Sequence, residues 1–508
     1  MKIRIRVIVG IMMFLGYYIM YIVRYNLSVH ILDMTQMKKR VYLYNGSEIT
    51  ARATGTRGGV INLINLNSLK ISTIFCAYHV GYVICFPIFH TRGDKLGPTL
   101  VVGIAGLTSG MLNCLTPAAA YFHFWALFAV RILKGFCAGA MLPSMVQLLR
   151  NWMPPTERNH FMWAYCGITI GTFSTFVCCA VIEYYSKWPI GFYVTGVTQI
   201  IWAALWICII TDYPAKHPFI SKSELDYLNK SLCASFTIKS INSQAPWKQI
   251  LRSVPFWTLC MLHFGYAWMI ISICIHGPMY YCIVVQYSIY SASALTALPF
   301  LLRLILGTAL MQLFHRFKMN SSPERIRSAR RYIVVVSHVL PGLLVASTWV
   351  THLVPGPILL TMAVALTAAG MDLTLELCYE LSPTYANLLN TVIKIIGNIP
   401  GIVVPLTVGN VTNQFNESPY VWKHVWCFHA SVLLLSGMVF LIWGDTHVQP
   451  WNSIYQRPPH SPRVKQKPSM MSNIDEVDED NLSRQQSYRP SMVLKPLKIL
   501  QPKSSNTV

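Results

Sequence analysis

The sequence predicts an all-α polytopic membrane protein whose twelve transmembrane helices form two six-helix bundles. Three observations carry this prediction. Only 12% of the 508 residues are charged while 54% are hydrophobic. That is about half the charge of an ordinary soluble domain, too little to cover a water-facing surface of this size. Twelve separate runs are apolar over the roughly 20 residues needed to cross a hydrocarbon core about 30 Å thick. The basic residues behind the net charge of +22 gather in short loops between these runs and in the C-terminal stretch. Membrane proteins keep their cytosolic charge in such places; no basic face for nucleic acid is visible.

The runs fall near 7–31, 70–90, 98–118, 121–146, 162–183, 190–211, 253–276, 289–314, 331–350, 354–378, 386–410 and 422–443. Backbone groups in hydrocarbon must be satisfied within the segment, so each run is a helix. The first is too long and too rich in tyrosine and polar residues for a signal core, and no small-residue cleavage site follows it. It is read as a retained span. Lys2, Arg4 and Arg6 precede it and place the N-terminus in the cytosol. Loops on the same side then hold Arg92 and Lys95, Arg150 and Arg158, Lys216 to Arg252, and Arg316 to Arg331. Lys38, Lys39 and Arg40 break the rule, in a first outer loop long enough to translocate despite its charge. That loop also holds Asn45-Gly46-Ser47, an acceptor for N-glycosylation. A second such tripeptide at Asn26 lies inside a span and is out of reach.

The spans divide six and six. Residues 1–212 form the N-terminal bundle, 213–252 a polar cytosolic middle loop, and 253–445 the C-terminal bundle. Residues 446–508 are rich in Ser, Pro, Gln and charge; this composition cannot bury a core and predicts a disordered tail. Most of the 14 cysteines lie inside apolar runs, where a thiol is a small hydrophobe. No CxxC pair points to zinc or redox chemistry.

Local motifs sharpen the reading. Asp94-Lys95-Leu96-Gly97 after the second span resembles the loop signature of facilitator transporters, in which acid and base clamp neighbouring helices in one access state; Asp94, Lys95 and Gly97 are the gating candidates. A longer resemblance covers residues 20–452. Arg24-Tyr25-Asn26-Leu27-Ser28-Val29, Trp152-Met153-Pro154-Pro155-Thr156-Glu157-Arg158, and Trp188 with Phe192-Tyr193 and Gly196 carry its first half. Asp212, Pro214, His217-Pro218, Ile220-Ser221, Glu224 and Tyr227 carry the middle. Leu381-Ser382-Pro383-Thr384-Tyr385-Ala386 and Gly444 with Gln449-Pro450-Trp451-Asn452 complete it. Together these resemble the anion-transporting branch of the major facilitator superfamily, the group of sialin, vesicular glutamate transporters and sodium–phosphate cotransporters. The resemblance implies the facilitator fold, a site near the bilayer midplane between two pseudo-symmetric halves, and anion-binding arginines at Arg24 and Arg131.

Charged residues inside spans cost about 3 kcal/mol or more each and mark function by default. Arg24 lies deep in the first span. Arg131 and Lys134 are three apart in the fourth and so share a face, and Lys394 lies in the eleventh. With Tyr266, whose amphipathic ring suits a half-wet wall, they are the candidates for holding a carboxylate or phosphate. The alternative for any one of them is to snorkel or to pair across helices, and Arg303 in the eighth span is open to both readings. The resemblance places a coupling Glu where this chain has Ala138, a His at Phe75 and an Arg at Tyr266, so proton coupling through that Glu is excluded and glutamate is a poor substrate. Asp372 and Glu376, four apart in the tenth span, either take up coupling protons, since burial raises a carboxyl pKa, or neutralise Lys134, Lys394 or Arg303. His30 either titrates or satisfies a hydrogen bond. Gly167 and Gly171 allow close helix contact, and Gly397, Pro400, Gly401 and Pro405 interrupt the eleventh span.

No nucleophile, metal or phosphate-cradle motif appears: no P-loop, HExxH or GxSxG with partners. The sequence therefore implies a secondary active transporter of a small anion, organic anion or inorganic phosphate, embedded in the lipid bilayer and driven by sodium, protons or membrane potential. It implies no cofactor, no nucleic-acid partner and no enzymatic activity. The membrane is the plasma membrane or an endolysosomal or vesicular one. The alternative is a facilitator fold that senses or scaffolds without transport, motivated by the substitutions at Ala138, Phe75 and Tyr266. As a check on the first outer loop, Asn45→Gln is expected to abolish a glycosidase-sensitive mobility shift of the protein expressed in animal cells.

Overall fold

A computed structural model describes residues 4–35, 39–42, 48–51, 66–153, 158–236, 245–349, 355–370, 373–415 and 420–452. Asn45, Asp372 and the tail from 453 fall outside these residues, as do the side chains of Asp94 and Lys95.

The twelve expected spans are present as helices at Ile5–Thr35, Ser68–His90, Pro98–Phe122, Phe124–Trp152, Trp163–Tyr185, Trp188–Ile209, Val254–Ile283, Ile289–Met319, Glu324–Ser347, Gly356–Leu381, Leu388–Gln414 and Val421–Trp443. One departure from an all-helical chain is a short antiparallel ladder in the first loop, pairing Lys39–Tyr42 with Glu48–Ala51. The middle loop is also more structured than its polarity suggests. It holds helices at Lys222–Phe236 and Trp247–Arg252. The Glu224 carboxylate accepts the backbone N–H of Ile5 at 3.1 Å and of Arg6 at 3.3 Å. An acid at a helix start satisfies orphan amides and complements the helix dipole, so the middle segment caps the first span.

Several spans are broken, each for a local reason. The first divides into Ile5–Tyr25 and Leu27–Thr35 around Asn26, whose carbonyl receives the N–H of both Val29 and His30. The ninth contains a π-turn at Val335–Val339, and the tenth a 3₁₀ turn at Thr367–Gly370. The eleventh divides at 397–399, where Gly397 precedes Pro400, a residue without an N–H to continue the ladder; it passes Pro405 unbroken.

Glycines let helices touch. A Cβ on Gly167 or Gly171 would meet the carbonyls of Phe14 or Tyr18, so the first and fifth spans pack backbone to backbone, as the four-residue spacing predicts. Gly135 and Gly81 do the same for the second and fourth spans, against Tyr78 and Ile132. Gly97 has φ +78° in the turn between the second and third spans. That turn rests on Asp212, whose carboxylate accepts the Thr99 N–H at 2.9 Å.

The apolar core is asymmetric. On the face carrying Ile5, here the basic face, each half has its own cluster: Met13, Met141, Trp152 and Trp206 in one, Phe256, Leu377, Leu389 and Phe440 in the other. On the opposite face one cluster runs through both halves, including Leu27, Phe176, Phe192, Trp268, Phe300 and Trp426. Among the described residues, the cluster shared by both halves lies on the far face, while on the basic face Ile395 of the eleventh span packs against the N-terminal cluster. On the basic face, His90 of the second span meets Thr391 of the eleventh. Gly135→Val is expected to destabilise the protein by more than about 2 kcal/mol through overpacking against backbone, read as a lowered unfolding midpoint in detergent.

A dibasic cavity between the halves

Arg24 occupies the last turn of the first span before its break, which aims it at the gap between the halves. Its guanidinium lies 5.3–5.7 Å from the ring centres of Tyr21, Tyr25, Tyr78 and Tyr82. Ring faces carry negative potential and stabilise a cation without neutralising it. Arg24 Nη2 donates to Asn398 Oδ1 at 3.1 Å and lies 3.4 Å from His79 Nδ1. Asn398 sits in the break of the eleventh span, so this bond crosses from one half to the other.

Arg131 approaches from the fourth span, 2% exposed, with its guanidinium 5.1 Å from the Tyr78 ring centre. Its Nε and Nη1 have no partner among the described residues, nor has Arg24 Nε. Buried donors of this kind cost about 1–3 kcal/mol each when unmade. The two arginines, with Tyr25, Ser28, Phe75, His79 and Ile275, line one small cavity of about 10 Å³, room for about one water. No Asp or Glu is among the lining residues. The place expected to hold a His is Phe75, and the imidazole enters instead from His79, one turn further along the same helix.

The other predicted binding residues lie elsewhere. Lys134 is fully buried inside the N-terminal half and donates to Asn113 Oδ1. Asn113 in turn donates to the Phe192 carbonyl and the Thr195 hydroxyl at 2.8 Å each, and Asn26 joins the same group. Lys134 therefore anchors the break of the first span and does not reach the cavity. Lys394 is half-buried one turn toward the basic face, and its carbonyl accepts from the Asn398 side chain at 2.8 Å. Tyr266 stacks on His263 and lies 5.2 Å under Arg303. Arg303 is 6% exposed, so it does not snorkel; it brings a guanidinium to the place in the seventh span where Tyr266 stands instead of Arg. Trp268 donates to His429 Nδ1 at 2.8 Å and is packing.

The coupling candidates also move. Glu376 does not neutralise Lys134, Lys394 or Arg303. It lies 3.4 Å from Arg330 and 3.9 Å from Lys318, and Glu380 contacts the same Arg330. His30 points away from the cavity. Its Nδ1 is 2.6 Å from Glu183 Oε1 and its Nε2 is 3.5 Å from Cys179 Sγ, with His30 and Glu183 side chains 0% and 3% exposed. Sequence reasoning missed Glu183, which stands at the very end of its apolar run, and also His79, Tyr78 and Asn398, whose neutral side chains raise no alarm in an apolar helix.

Twelve apolar membrane spans in two sets of six, with two arginines lining a small cavity between the sets, define a polytopic membrane protein of the carrier type. The chain belongs to the Major Facilitator Superfamily, whose sequence profile matches residues 9–405. It is 28% identical to sialin of Ovis aries over 86% of this chain and 89% of the relative. It is 27% identical to vesicular glutamate transporter 1 of Xenopus laevis (88% and 76%), and 26% identical to a putative inorganic phosphate cotransporter of Drosophila ananassae (87% and 93%). Among solved structures it resembles a bacterial homologue of the human lysosomal transporter spinster, in an inward-facing and occupied conformation, with TM-score 0.62 and 11% identity over 88% of this chain and 98% of that one.

Removing one member of a buried hydrogen-bonded pair costs about 1–3 kcal/mol, and more where a charge is left behind, because the other loses its partner. Glu183→Ala is therefore expected to lower the unfolding midpoint strongly, and adding His30→Leu to it should cost much less than His30→Leu alone. Additive losses would show that the two side chains do not interact.

Proposed function

We propose that the protein is a secondary active transporter of a small anion, an organic carboxylate or inorganic phosphate, working by alternating access between its two halves. The observation that carries this reading is the convergence of Arg24 and Arg131 on a cavity whose lining holds no carboxylate, with guanidinium N–H groups left unpartnered. A planar guanidinium donates two parallel bonds to a carboxylate or phosphate, and such bonds are strong where water is excluded. The relatives named for glutamate and phosphate transport support the same class of cargo.

The chain's own residues suggest how binding moves the halves. Arg24 Nη2 is held by Asn398 across the gap. An anion on Arg24 and Arg131 competes for that donor and frees the eleventh span. The shared cluster on the far face and the separate clusters on the basic face fit a state poised to part on the basic side. The basic loops support a cytosolic location for that side, and with it for both termini. The driving gradient is sodium, protons or voltage, and the membrane is the plasma membrane or an endolysosomal or vesicular one. Gly97, seated on Asp212, belongs to the gate, and Asp94 and Lys95 complete its motif.

Uptake of labelled phosphate and of a panel of organic anions into proteoliposomes, with imposed sodium, proton and voltage gradients, tests this. Arg131→Ala is expected to reduce uptake of the transported anion 10-fold or more, the worth of a charge-assisted bond of about 1.5–3 kcal/mol, with Arg131→Lys restoring little of it. Wild-type-like uptake in Arg131→Ala would remove the central site. Binding without flux in the wild-type protein would favour a sensor.

A further inference from the structure

A second cavity lies far from the first, at the basic end of the C-terminal half. It has a volume of about 300 Å³ and lies between the start of the ninth span and the end of the twelfth. Arg327, Arg330, Arg331 and His447 line it, with Ser328 and Thr446. Arg327, Arg330 and Arg331 are spaced i, i+3, i+4 and so share one helix face.

Two carboxylates, Asp445 and Glu324, also line the cavity; Asp445 pairs with His447 rather than with the three arginines. Asp445 is already engaged: its Oδ1 accepts the backbone N–H of Thr446 at 2.7 Å and of His447 at 3.1 Å and lies 2.6 Å from His447 Nδ1, and its Oδ2 accepts from Gln449 at 3.3 Å. Glu324 is exposed and has no ion-pair partner among the described residues. Arg330 is the telling residue. It is 1% exposed, and its Nη2 edge is held by Glu376 and Glu380. Its Nε and Nη1 have no partner among the described residues. The two glutamates thus fix the guanidinium and leave its other donors unused beside a cavity that two exposed arginines share.

The surroundings identify the ligand. Tyr332, 72% exposed, and Trp443, 58% exposed, adjoin in sequence the lining residues Arg331 and Gly444, and Phe440 forms part of the wall. Exposed aromatic rings at a helix end mark the headgroup level of a bilayer. Basic pockets between spans at that depth suit phosphate-bearing lipid headgroups.

We propose that this cavity binds a phosphate-bearing anion, supplied by the headgroup of an anionic phospholipid of the surrounding leaflet, with Arg327, Arg330 and Arg331 as its ligands. The site is independent of the central cavity and stands whether or not Arg131 binds a transported anion.

The test uses the purified full chain in detergent and native mass spectrometry with short-chain phosphatidic acid, phosphatidylcholine and, separately, inorganic phosphate. Arg327→Gln/Arg331→Gln is the main variant, because both side chains are exposed and outside the Glu376–Glu380 cluster; His447→Gln is a milder second. The wild-type chain is expected to bind phosphatidic acid at least 10-fold more tightly than phosphatidylcholine. That preference should disappear in the double variant, weaken in His447→Gln, and persist in Arg131→Ala. Inorganic phosphate bound as tightly as phosphatidic acid, and lost in the same double variant, would keep the site and make the free ion its occupant. Equal binding of both lipids by the wild type, or undiminished phosphatidic acid binding by the double variant, overturns the proposal.

Discussion

The central constraint is that two guanidiniums are held in a membrane-buried space without a carboxylate beside them. Each costs roughly 3 kcal/mol or more to place there, and together they repel. The surrounding structure makes this tolerable by indirect means. Four tyrosine rings present their faces to Arg24, Tyr78 serves both arginines, and Asn398 offers a neutral oxygen. None of these contacts consumes the charge. A carboxylate in their place would give a more comfortable protein with nothing left to attract an anion.

The neighbouring cations show the contrast. Lys134 lies three residues after Arg131, about 60° round the helix, and that rotation takes it out of the gap and into the amide cluster of Asn113, Asn26 and Thr195. Arg330 is fixed by two glutamates. Among the described residues, Arg330 thus meets carboxylates, Lys134 meets amides, and Arg24 and Arg131 line a cavity without a carboxylate.

Much of the architecture was legible in the sequence, because hydrocarbon imposes a length and a polarity that survive any detail of packing. The twelve spans, the glycine contact of Gly167 and Gly171, and the break in the eleventh span follow from that. Arg24 and Arg131 were legible because a charge in an apolar run is expensive and conspicuous. Direction was not. Lys134, Tyr266, Glu376 and His30 sit on spans as expected, yet each faces a neighbour instead of the cavity, and helix rotation about its axis is set by packing that periodicity alone does not resolve. Glu183 escaped notice at the margin of its run, and the helix Lys222–Phe236 did so because a short polar helix looks like a linker.

The first span has a mechanical character that follows from its three anchors. Its start is gripped by Glu224 from the connector between the halves, its break by Asn113 and Thr195 through Asn26, and its far segment by Glu183 through His30. Arg24 stands immediately before the break, as a load does beside a fulcrum. Because Ile5–Tyr25 is one unbroken helix, the connector's Glu224 and the Arg24 guanidinium stand at the two ends of a single rigid element.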